Sequence, residues 1–438
     1  MRRQLLVGSA GLALALAAAC GTKGPMEAGS KGAGSSGTRA NGSGTGGSAV
    51  NAGTGGSAVA GWAAVSLVDE MVVGTPVSHQ DDTVTAIWFK DLGHGVVATF
   101  PGAGWPAGSL QSLSGPRRVE RVAYTGIGTG SMGQDQSFFS LFPTSTGLVA
   151  ASYYGDQVIR SIDGGASFTA VAAGTGIDSS GAIWYSKDSS GTWHKVNRLG
   201  HVRAASMDPG PTTPWTITWQ PSGLPPVPAA LPAGACPNTF AQGSYFFDAQ
   251  QAFWASPDGS TMMYGQGYGS DPAGVCRSTD GGKTFYPVAF PSPPAGSATS
   301  VPYVLAFADA THGMAARAHD LVAGAAYIYT TSDAGATWTA SAVPGAVNAP
   351  GEKAYFSGGF YAPDGQHVWI VGGTIKAQAL ALLLKSSDGG KTWIDVSAKL
   401  AGLPGAATRF HTGFALDADN IWIGGEHGGL LYSNTGGE

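Results

Sequence analysis

Short apolar segments separated by turn-forming residues recur along the chain from about residue 62 to its last residue. One stretch shows the pattern well, because Pro363-Asp364-Gly365 is a typical turn between two apolar segments. Four strands are predicted in this stretch, over Ala354–Tyr361, Val368–Val371, Leu382–Ser386 and Thr392–Val396. The pattern therefore predicts an all-β fold made of short antiparallel strands.

An eight-residue motif lies between the apolar segments at four places. It has the form Ser/Thr-x-Asp-x-Gly-x-Ser/Thr-aromatic, and the copies begin at Ser161, Ser278, Thr331 and Ser386. An aspartate carboxylate can accept backbone N–H groups in a turn, and glycine allows the positive φ that such turns need. We therefore expect the motif aspartates to hold turns and to take no part in chemistry; they are Asp163, Asp280, Asp333 and Asp388.

Two weaker copies extend the series. One contains Asp208, with its aromatic residue displaced to Trp215, and the other runs from Ser433 to Glu438, with Thr435 in the aspartate position. The six positions 163, 208, 280, 333, 388 and 435 are separated by 45, 72, 53, 55 and 47 residues. A similar segment, Ser186–Trp193, follows Asp163 too closely for another repeat and is predicted to be a hairpin turn inside one.

The motif resembles the Asp-box, or BNR, repeat of sialidases, of some glycoside hydrolases and of the Ycf48-like family. In those families the box is the turn between the third and fourth strands of a propeller blade. Two segments upstream, Val84–Phe89 and His94–Ala98, are predicted to begin one more repeat without a box. The resemblance implies a β-propeller of about seven blades. The phrases Ile87-Trp88-Phe89 and Ile421–Gly425 are similar to the Ycf48-like branch, and this likeness covers most of Thr85–Glu438.

The last repeat stops inside its box, so its fourth strand is missing from the C-terminal end of the sequence. An open blade would leave an unpaired strand edge. The segment that begins at Trp62 shares the pattern Trp-x-x-Val-Ser with the segment that begins at Trp393. We therefore expect Trp62–Leu67 to pair near Leu430–Ser433 and to close the propeller.

The N-terminal end has the pattern of an export signal: Met1-Arg2-Arg3, then an apolar segment from Leu5 to Ala19 that is too short to span a bilayer comfortably. Ala17-Ala18-Ala19-Cys20 resembles the lipobox of bacterial lipoproteins, although Leu16 lies one place early. The resemblance implies a signal peptide over residues 1–19, a lipid on Cys20 and a position in the cell envelope, at the outer membrane or the cell surface. Ordinary secretory cleavage near Ala19 is the alternative.

Residues 20–61 are rich in Gly, Ser, Ala and Thr, so we expect the lipidated cysteine to be followed by a disordered tether. The propeller is then expected over residues 62–438. Cys236 and Cys276 form an even pair in an exported protein, which predicts a disulfide; two separate buried thiols are the alternative.

Composition narrows the classes of partner. Only 12% of the residues are charged and the formal net charge is −5, with no basic stripe that could neutralise nucleic-acid phosphates. No second apolar segment reaches membrane-spanning length, so we expect contact with the membrane through the lipid anchor alone. The sequence carries no metal-binding or cofactor motif, and neither a metal nor a cofactor is expected.

If the boxes join third and fourth strands, the opposite face carries the hairpins between second and third strands and the links between blades. Ligands of propellers normally enter on that face. Its loops mix aromatic residues with carboxylates, a mixture that suits a glycan or an envelope protein as partner. The candidate ligand residues there are Tyr154, Asp156, Tyr268, Asp271, His319, Asp320, Arg409, Glu426 and His427.

Three functions remain open. The sequence favours a non-catalytic binding or assembly protein of the cell envelope. The second is a glycoside hydrolase with two of Asp271, Asp320 and Glu426 as its carboxylates. A typical sialidase is disfavoured, because the sequence has no Phe/Tyr-Arg-Ile-Pro segment and few arginines in the propeller region. The third is a structural surface lipoprotein without a specific small ligand.

Overall fold

The fold is given by a computed structural model of the chain. It describes residues 61–72, 75–100, 109–125, 138–144, 147–152, 158–170, 184–187, 192–197, 200–205, 216–221, 227–228, 253–256, 260–266, 274–280, 284–291, 302–317, 327–341, 343–344, 354–374, 381–403 and 409–438. All of these belong to one structural unit, Thr54–Glu438. The predicted signal peptide, Cys20 and the predicted tether up to residue 60 lie outside the described residues.

The described chain is almost entirely β-strand, and every pair of neighbouring strands is antiparallel. It begins with β1 (Trp62–Ala64) and a two-stranded ribbon, β2 (Glu70–Val72) and β3 (Thr75–Val77). The next strands form a first sheet of four: β4 (Thr83–Asp91), β5 (His94–Phe100), β6 (Ser109–Leu113) and β7 (Val119–Thr125). The second sheet has the same order: β8 (Phe138–Thr144), β9 (Gly147–Ser152), β10 (Val158–Ser161) and β11 (Thr169–Ala170).

Three further sheets follow in chain order. The third has five strands: β12 (Trp184–Lys187), β13 (Thr192–Asn197), β14 (Gly200–Ala205), β15 (Thr216–Pro221) and β16 (Val227–Pro228). The fourth contains β17 (Phe253–Ala255), β18 (Met262–Gln266), β19 (Gly274–Ser278) and β20 (Tyr286–Ala289). The fifth contains β21 (Pro302–Phe307), β22 (Gly313–Arg317), β23 (Tyr327–Thr331) and β24 (Thr339–Ser341).

The sixth and seventh sheets complete the described chain. The sixth contains β25 (Ala354–Tyr361), β26 (Val368–Thr374), β27 (Ala381–Ser386) and β28 (Ile394–Asp395), and a 3₁₀ turn follows over Ser397–Leu400. The seventh contains β29 (Phe410–Ala415), β30 (Ile421–Gly425), β31 (Leu430–Ser433) and, at its edge, β1. The segment resembling a box over Ser186–Trp193 links β12 to β13, which pair as a hairpin.

The first strands of successive sheets lie side by side. This holds for β4 with β8, β8 with β12, β17 with β21, β21 with β25 and β25 with β29, and β29 lies beside β4. Four-stranded antiparallel sheets that meet through their first strands have the arrangement of a β-propeller.

The hydrophobic core lies between the faces of neighbouring sheets. Between the fifth and sixth sheets, Met314, Phe356 and Ile370 are fully buried in one cluster. Between the seventh and first sheets, the ring of Phe89 stacks on that of Trp422 with centroids 3.7 Å apart. Because each sheet is covered on its faces by neighbours, its strands carry longer apolar runs than strict alternation would give.

The strand β1 pairs with β31, as predicted from the Trp-x-x-Val-Ser pattern. Trp62 lies opposite Ser433, and Ala64 lies opposite Leu431. The pairing is shorter than the predicted Trp62–Leu67, because only one more backbone hydrogen bond follows, from Val65 to Leu430 (2.8 Å). The chain then turns away, and Leu67 is buried in the core between the seventh and first sheets.

The box turns share one hydrogen-bond pattern. The hydroxyl of the first box residue accepts the N–H of the glycine four residues later, at 2.7 Å in the second sheet, 2.9 Å in the fifth and sixth, and 3.0 Å in the seventh. In the sixth sheet, Asp388 Oδ1 accepts the N–H groups of Lys391 (3.0 Å) and Thr392 (2.9 Å). Its carboxylate therefore satisfies turn donors that have no strand partner.

The box aromatic packs on the same glycine in three sheets. A Cβ built on Gly335 would lie 3.3 Å from Cζ2 of Trp338, and one on Gly390 would lie 3.4 Å from Cζ2 of Trp393. In the seventh sheet a Cβ built on Gly437 would lie 3.4 Å from Cζ2 of Trp62. Trp62 therefore takes the place of the aromatic residue in the seventh box, although it comes from the opposite end of the described chain.

Replacing Asp388 with alanine should lower the free energy of unfolding by about 1–3 kcal/mol, because turn N–H groups lose their acceptor. Chemical unfolding of the variant and of the parent chain measures the difference. Ser387→Ala is the control, since the Ser387 side chain is exposed and lies next to the same turn. Equal losses in the two variants would contradict a turn-holding role for the carboxylate.

The box aspartates also predict a loss of stability in acid. Partial burial raises the pKa of Asp163 and of Asp388, but hydrogen bonds from box residues outweigh it and lower both pKa values to about 2. The folded-state pKa thus lies below the ordinary value of 3.8, so these carboxylates stabilise the fold above about pH 4 and lose that contribution as the pH falls to about 2.

Melting temperatures measured between pH 6 and pH 2 test this dependence. The double variant Asp163→Asn/Asp388→Asn should have a lower melting temperature than the parent chain at pH 6. Between pH 4 and pH 2, its melting temperature should fall less than that of the parent chain. If the melting temperatures of the two proteins fell equally as the pH was lowered, these carboxylates would not be responsible for the loss of stability in acid.

Candidate functional site

Three of the nine predicted ligand residues lie in the described part of the chain, and all three are in the seventh sheet region: Arg409, Glu426 and His427. Arg409 directly precedes β29, and the other two lie in the hairpin between β30 and β31. The remaining six lie outside the described residues: Tyr154, Asp156, Tyr268, Asp271, His319 and Asp320. The box aspartate Asp208 also lies outside them.

Backbone hydrogen bonds fix the hairpin that carries Glu426 and His427. Gly425 donates to Gly429 (2.8 Å), and the Gly429 N–H returns to the carbonyl of Glu426 (3.1 Å). His427 has a φ of +53°, a left-handed conformation, and its side chain is exposed. The turn therefore presents the imidazole to solvent on the face opposite the boxes.

The glycine after His427 allows this hairpin to pack on the chain segment before β4. Gly428 has a φ of +66°, and a Cβ there would lie 2.2 Å from the carbonyl oxygen of Gln80. The Gly428 N–H donates to the carbonyl of Asp82 at 2.6 Å. Only glycine meets both conditions, so the sequence of this turn fixes the contact between the seventh sheet and the segment that leads into the first.

Glu426 lies among positive or protonatable groups. Its Oε1 is 3.4 Å from Nε2 of His411, and its N–H donates to the carbonyl of Arg409 (3.0 Å). The hydrogen bond with His411 lowers the pKa of Glu426; partial burial opposes it, and the charge of Arg409 adds to the lowering. The site therefore presents an ionised carboxylate beside a guanidinium and two imidazoles at neutral pH.

His411 was not predicted from the sequence, and a β-bulge explains its position. The register of β29 with β30 shifts between Phe410 and Thr412, so His411 is the extra residue. Bulges often redirect a side chain beside a functional site. The first strands of four other sheets shift at an equivalent place, with the extra residues at 85, 139, 303 and 357. The number of residues from 85 to 139 is the same as from 303 to 357 and from 357 to 411. This regular spacing is the signal from which the position of His411 could have been predicted.

A buried polar network lies next to the hairpin. Asp82 Oδ2 accepts hydrogen bonds from Thr99 (2.7 Å) and lies 2.7 Å from Nδ1 of His79. Thr99 in turn bonds Ser109 at 2.8 Å, and Gln111 donates to Ser109 at 3.3 Å. His79 and Asp82 are 1% and 3% exposed, so the network supports the hairpin from inside and is closed to a ligand.

A second repeated turn, Asp-x-x-His, lies between first and second strands and was not predicted from the sequence. The aspartate carboxylate lies 2.8 Å from Nδ1 in Asp91–His94, 2.8 Å in Asp309–His312 and 2.6 Å in the turn of Asp364. These turns lie at the box end of their sheets, away from Glu426. They order the turn and add nothing to the candidate site.

Within the described ranges, no group of three or more His, Cys, Asp or Glu side chains is placed to hold a metal ion. The same ranges contain no helix with the length and apolar character needed to cross a membrane.

Comparisons with known proteins show distant likenesses only. No family model matches the chain, and no curated protein matches it. A solved structure of YCF48 bound to D1 peptide is 15% identical, with a TM-score of 0.49, and the match covers 85% of this chain and 95% of that one. YCF48 from Cyanidioschyzon merolae is 13% identical, with a TM-score of 0.47 and coverages of 86% and 98%.

An enzyme is also among the similar structures. The GH74 xyloglucanase from Xanthomonas campestris is 16% identical with a TM-score of 0.46, and the match covers 86% of this chain but only 53% of the xyloglucanase. Because all three TM-scores are below 0.5, no functional argument follows from them. The fold alone does not determine the function.

Proposed function

We propose that this protein is a non-catalytic binding or assembly protein of the cell envelope, held at the membrane by a lipid on Cys20. The observation that carries the binding role is the arrangement of Glu426 between Arg409 and His411 at an exposed hairpin. This arrangement presents both positive and negative charge on a rigid backbone. Such a site suits recognition of a polar segment of another envelope protein better than a neutral glycan.

The same site argues against acid catalysis by Glu426. A glycosidase needs one carboxylic acid whose pKa is raised, so that it can protonate the leaving oxygen. The surroundings of Glu426 lower its pKa instead. The other two acids considered for that role, Asp271 and Asp320, lie outside the described residues. Hydrolysis is therefore the alternative that a screen on polysaccharides has to exclude.

We further propose seven blades in a closed ring. The spacing between the extra residues at 139 and 303 is about three times the spacing between those at 85 and 139, which leaves room for two sheets between them. The indole N–H of Trp369 donates to the turn of the seventh sheet, at Gly436 (3.0 Å). The indole N–H of Trp422 donates to the turn of the first sheet in the same way, at Pro116 (2.7 Å). The contact that joins the sixth sheet to the seventh is thus repeated between the seventh and the first.

Quantitative co-purification from the envelope, with the full chain as bait, tests the binding role. The variant Glu426→Gln should lose most of the partner that the parent chain enriches. Asp419→Asn is the control with the same change of charge, because Asp419 is exposed at the box end of the same sheet. Equal partner levels with both variants would place the binding site elsewhere.

A hydrolysis screen on polysaccharides tests the alternative with the same proteins. We expect no turnover by the parent chain. Turnover that disappears in Glu426→Gln and survives in Asp419→Asn would establish a hydrolase and overturn the binding proposal.

A disulfide between Cys236 and Cys276 is part of the proposal. Cys276 is fully buried on β19, and Cys236 lies outside the described residues. The cross-link would close a loop of about 40 residues and stabilise the fold by about 3–4 kcal/mol in the chain-entropy model. Peptide mapping without reduction should recover one peptide pair that joins the two cysteines. Alkylation of both thiols in the unreduced, unfolded protein would contradict the bond.

A further inference from the structure

Large apolar side chains are rarely exposed in the described part of the chain, and two of the three exposed ones lie in neighbouring turns. Leu92 is 42% exposed in the turn between β4 and β5, and Ile162 is 82% exposed in the box after β10. These two turns are neighbours, because a Cβ built on Gly164 would lie 4.0 Å from Cβ of His94. The first and second sheets therefore present two aliphatic side chains at the box end.

Arginines border this apolar pair. The turn between β6 and β7 has no box and contains Arg117 and Arg118, which are exposed, and Arg121 follows on β7. Arg121 donates from Nη2 to the carbonyl of Ala166 (2.7 Å), inside the box that carries Ile162. Three cations and one acid, Glu120, thus lie within residues 117–121. Two further acids lie next to the apolar pair, but each has a partner: Asp91 pairs with His94 (2.8 Å), and Asp163 accepts the N–H and the hydroxyl of Ser167.

The patch is close to the point where the chain enters the fold. Arg117 is near enough to Tyr432 to act on it electrostatically, and Tyr432 is the strand partner of Ala63 in β1. Trp62 lies opposite Ser433, at the box end of the seventh sheet. The segment that would lead to a lipid on Cys20 therefore joins the propeller on the same face as the arginines.

We propose that Leu92, Ile162, Arg117 and Arg118 form a docking patch for an anionic phospholipid membrane. Aliphatic side chains flanked by cations are the combination that binds a membrane interface, with the apolar groups at the boundary of headgroups and acyl chains and the guanidinium groups on phosphates. This inference rests on the proposed lipid anchor, which makes docking intramolecular and lets a small patch suffice.

Docking would also orient the binding site. The patch lies at the box end of the sheets, whereas Glu426 and His427 lie in a hairpin at the opposite end. A propeller docked through this patch holds its binding hairpin away from the membrane, where a partner in the adjoining compartment can reach it.

A fluorophore sensitive to polarity, attached at position 162 through Ile162→Cys in the full chain, tests docking directly. The lipidated chain is reconstituted in vesicles with and without phosphatidylglycerol, and the unlipidated Cys20→Ser chain is added to the same vesicles at low salt. The matched control is the same label at Ile394→Cys, because Ile394 is 54% exposed on the sixth sheet. We expect a blue shift and quenching by spin-labelled lipid at position 162 only, and only with the anionic lipid.

The arginines are tested separately with the unlipidated chain. Arg117→Gln/Arg118→Gln should weaken partitioning into anionic vesicles about thirtyfold, as expected for two cations at a charged surface. Lys391→Gln/Lys399→Gln removes the same charge from the sixth sheet and should have little effect. A fluorescence signal equal at positions 162 and 394, or equal losses in the two double variants, would overturn the docking patch.

Failure of this proposal is distinguishable from failure of the binding role and of the anchor. Co-purification with Glu426→Gln reports on the opposite face, and flotation of the chain with vesicles reports on the lipid at Cys20. If the probe at position 162 stays in water in both the lipidated and the Cys20→Ser chains, docking is wrong whatever those two measurements show.

Discussion

Replacing Trp62 with alanine should lower the free energy of unfolding by about 3–5 kcal/mol, one of the largest effects of any single substitution in this chain. Trp62 is 2% exposed and belongs to the core cluster shared by the sixth and seventh sheets. It fills the position that Trp393 fills in the sixth box. Its removal leaves a cavity and also weakens the pairing of β1 with β31.

Denaturant unfolding of the full chain measures this loss. Trp393→Ala should be destabilised to a similar degree, because both indoles pack on the glycine of their box; Trp393 also donates its indole N–H to the carbonyl of Gly390 (2.8 Å), a bond that Trp62 does not make to its own box. Ile394→Ala is the control, since a side chain 54% exposed should change stability by less than about 0.5 kcal/mol. If Trp62→Ala behaved like the control, the structural role assigned to β1 would be wrong.

Replacing Asp82 with alanine should cost about 3–5 kcal/mol, because it removes the carboxylate that pairs with the buried His79 and accepts the hydroxyl of Thr99. The effect should extend to the candidate site, since the carbonyl of Asp82 holds the N–H of Gly428 in the binding hairpin. We therefore expect weaker capture of the proposed envelope partner as well as lower stability.

The neighbouring residue supplies the control for this substitution. Asp81 is exposed, and Asp81→Ala removes the same charge one position away from the network. It should leave both unfolding and partner capture within about 0.5 kcal/mol of the parent chain. A loss of the same size in Asp81→Ala would mean that charge, not the buried hydrogen bonds, explains the result.

The strands of the sheet around Asp388 and the first two strands of the first sheet could be predicted from the sequence because their signals are local. The box around Asp388 combines a turn-forming carboxylate, two glycines and a closing Trp393 within eight residues, and the structure has a turn there. The pairing of Trp62 near Ser433 could also be predicted, because the second copy of Trp-x-x-Val-Ser repeats a local pattern. Where chemistry within a few residues determines the geometry, a single sequence is sufficient.

The candidate site could be predicted only in part. Arg409 and Glu426 follow from counting strands, but the partner of Glu426 is His411, which a backbone bulge brings into reach. The buried network joins residues 10 to 17 positions apart, such as Thr99 on β5 with Ser109 on β6 and with Asp82 just before β4. No local pattern encodes such contacts, because they depend on how the strands of the first sheet align with one another and with the segment before β4.

The pairing of β1 with β31 has a kinetic consequence. Its partners Trp62 and Ser433 lie near the two ends of the described chain, so the seventh sheet can be completed only after the segments of every other sheet have been synthesised. Contacts between such distant residues form slowly, since the entropy of closing the loop opposes them until the whole chain is in place. If the chain is exported from its N-terminal end, as proposed, β1 emerges first and remains without its partner the longest. Folding of this protein therefore needs an interval in which one short strand and one open sheet edge are kept from pairing with other chains.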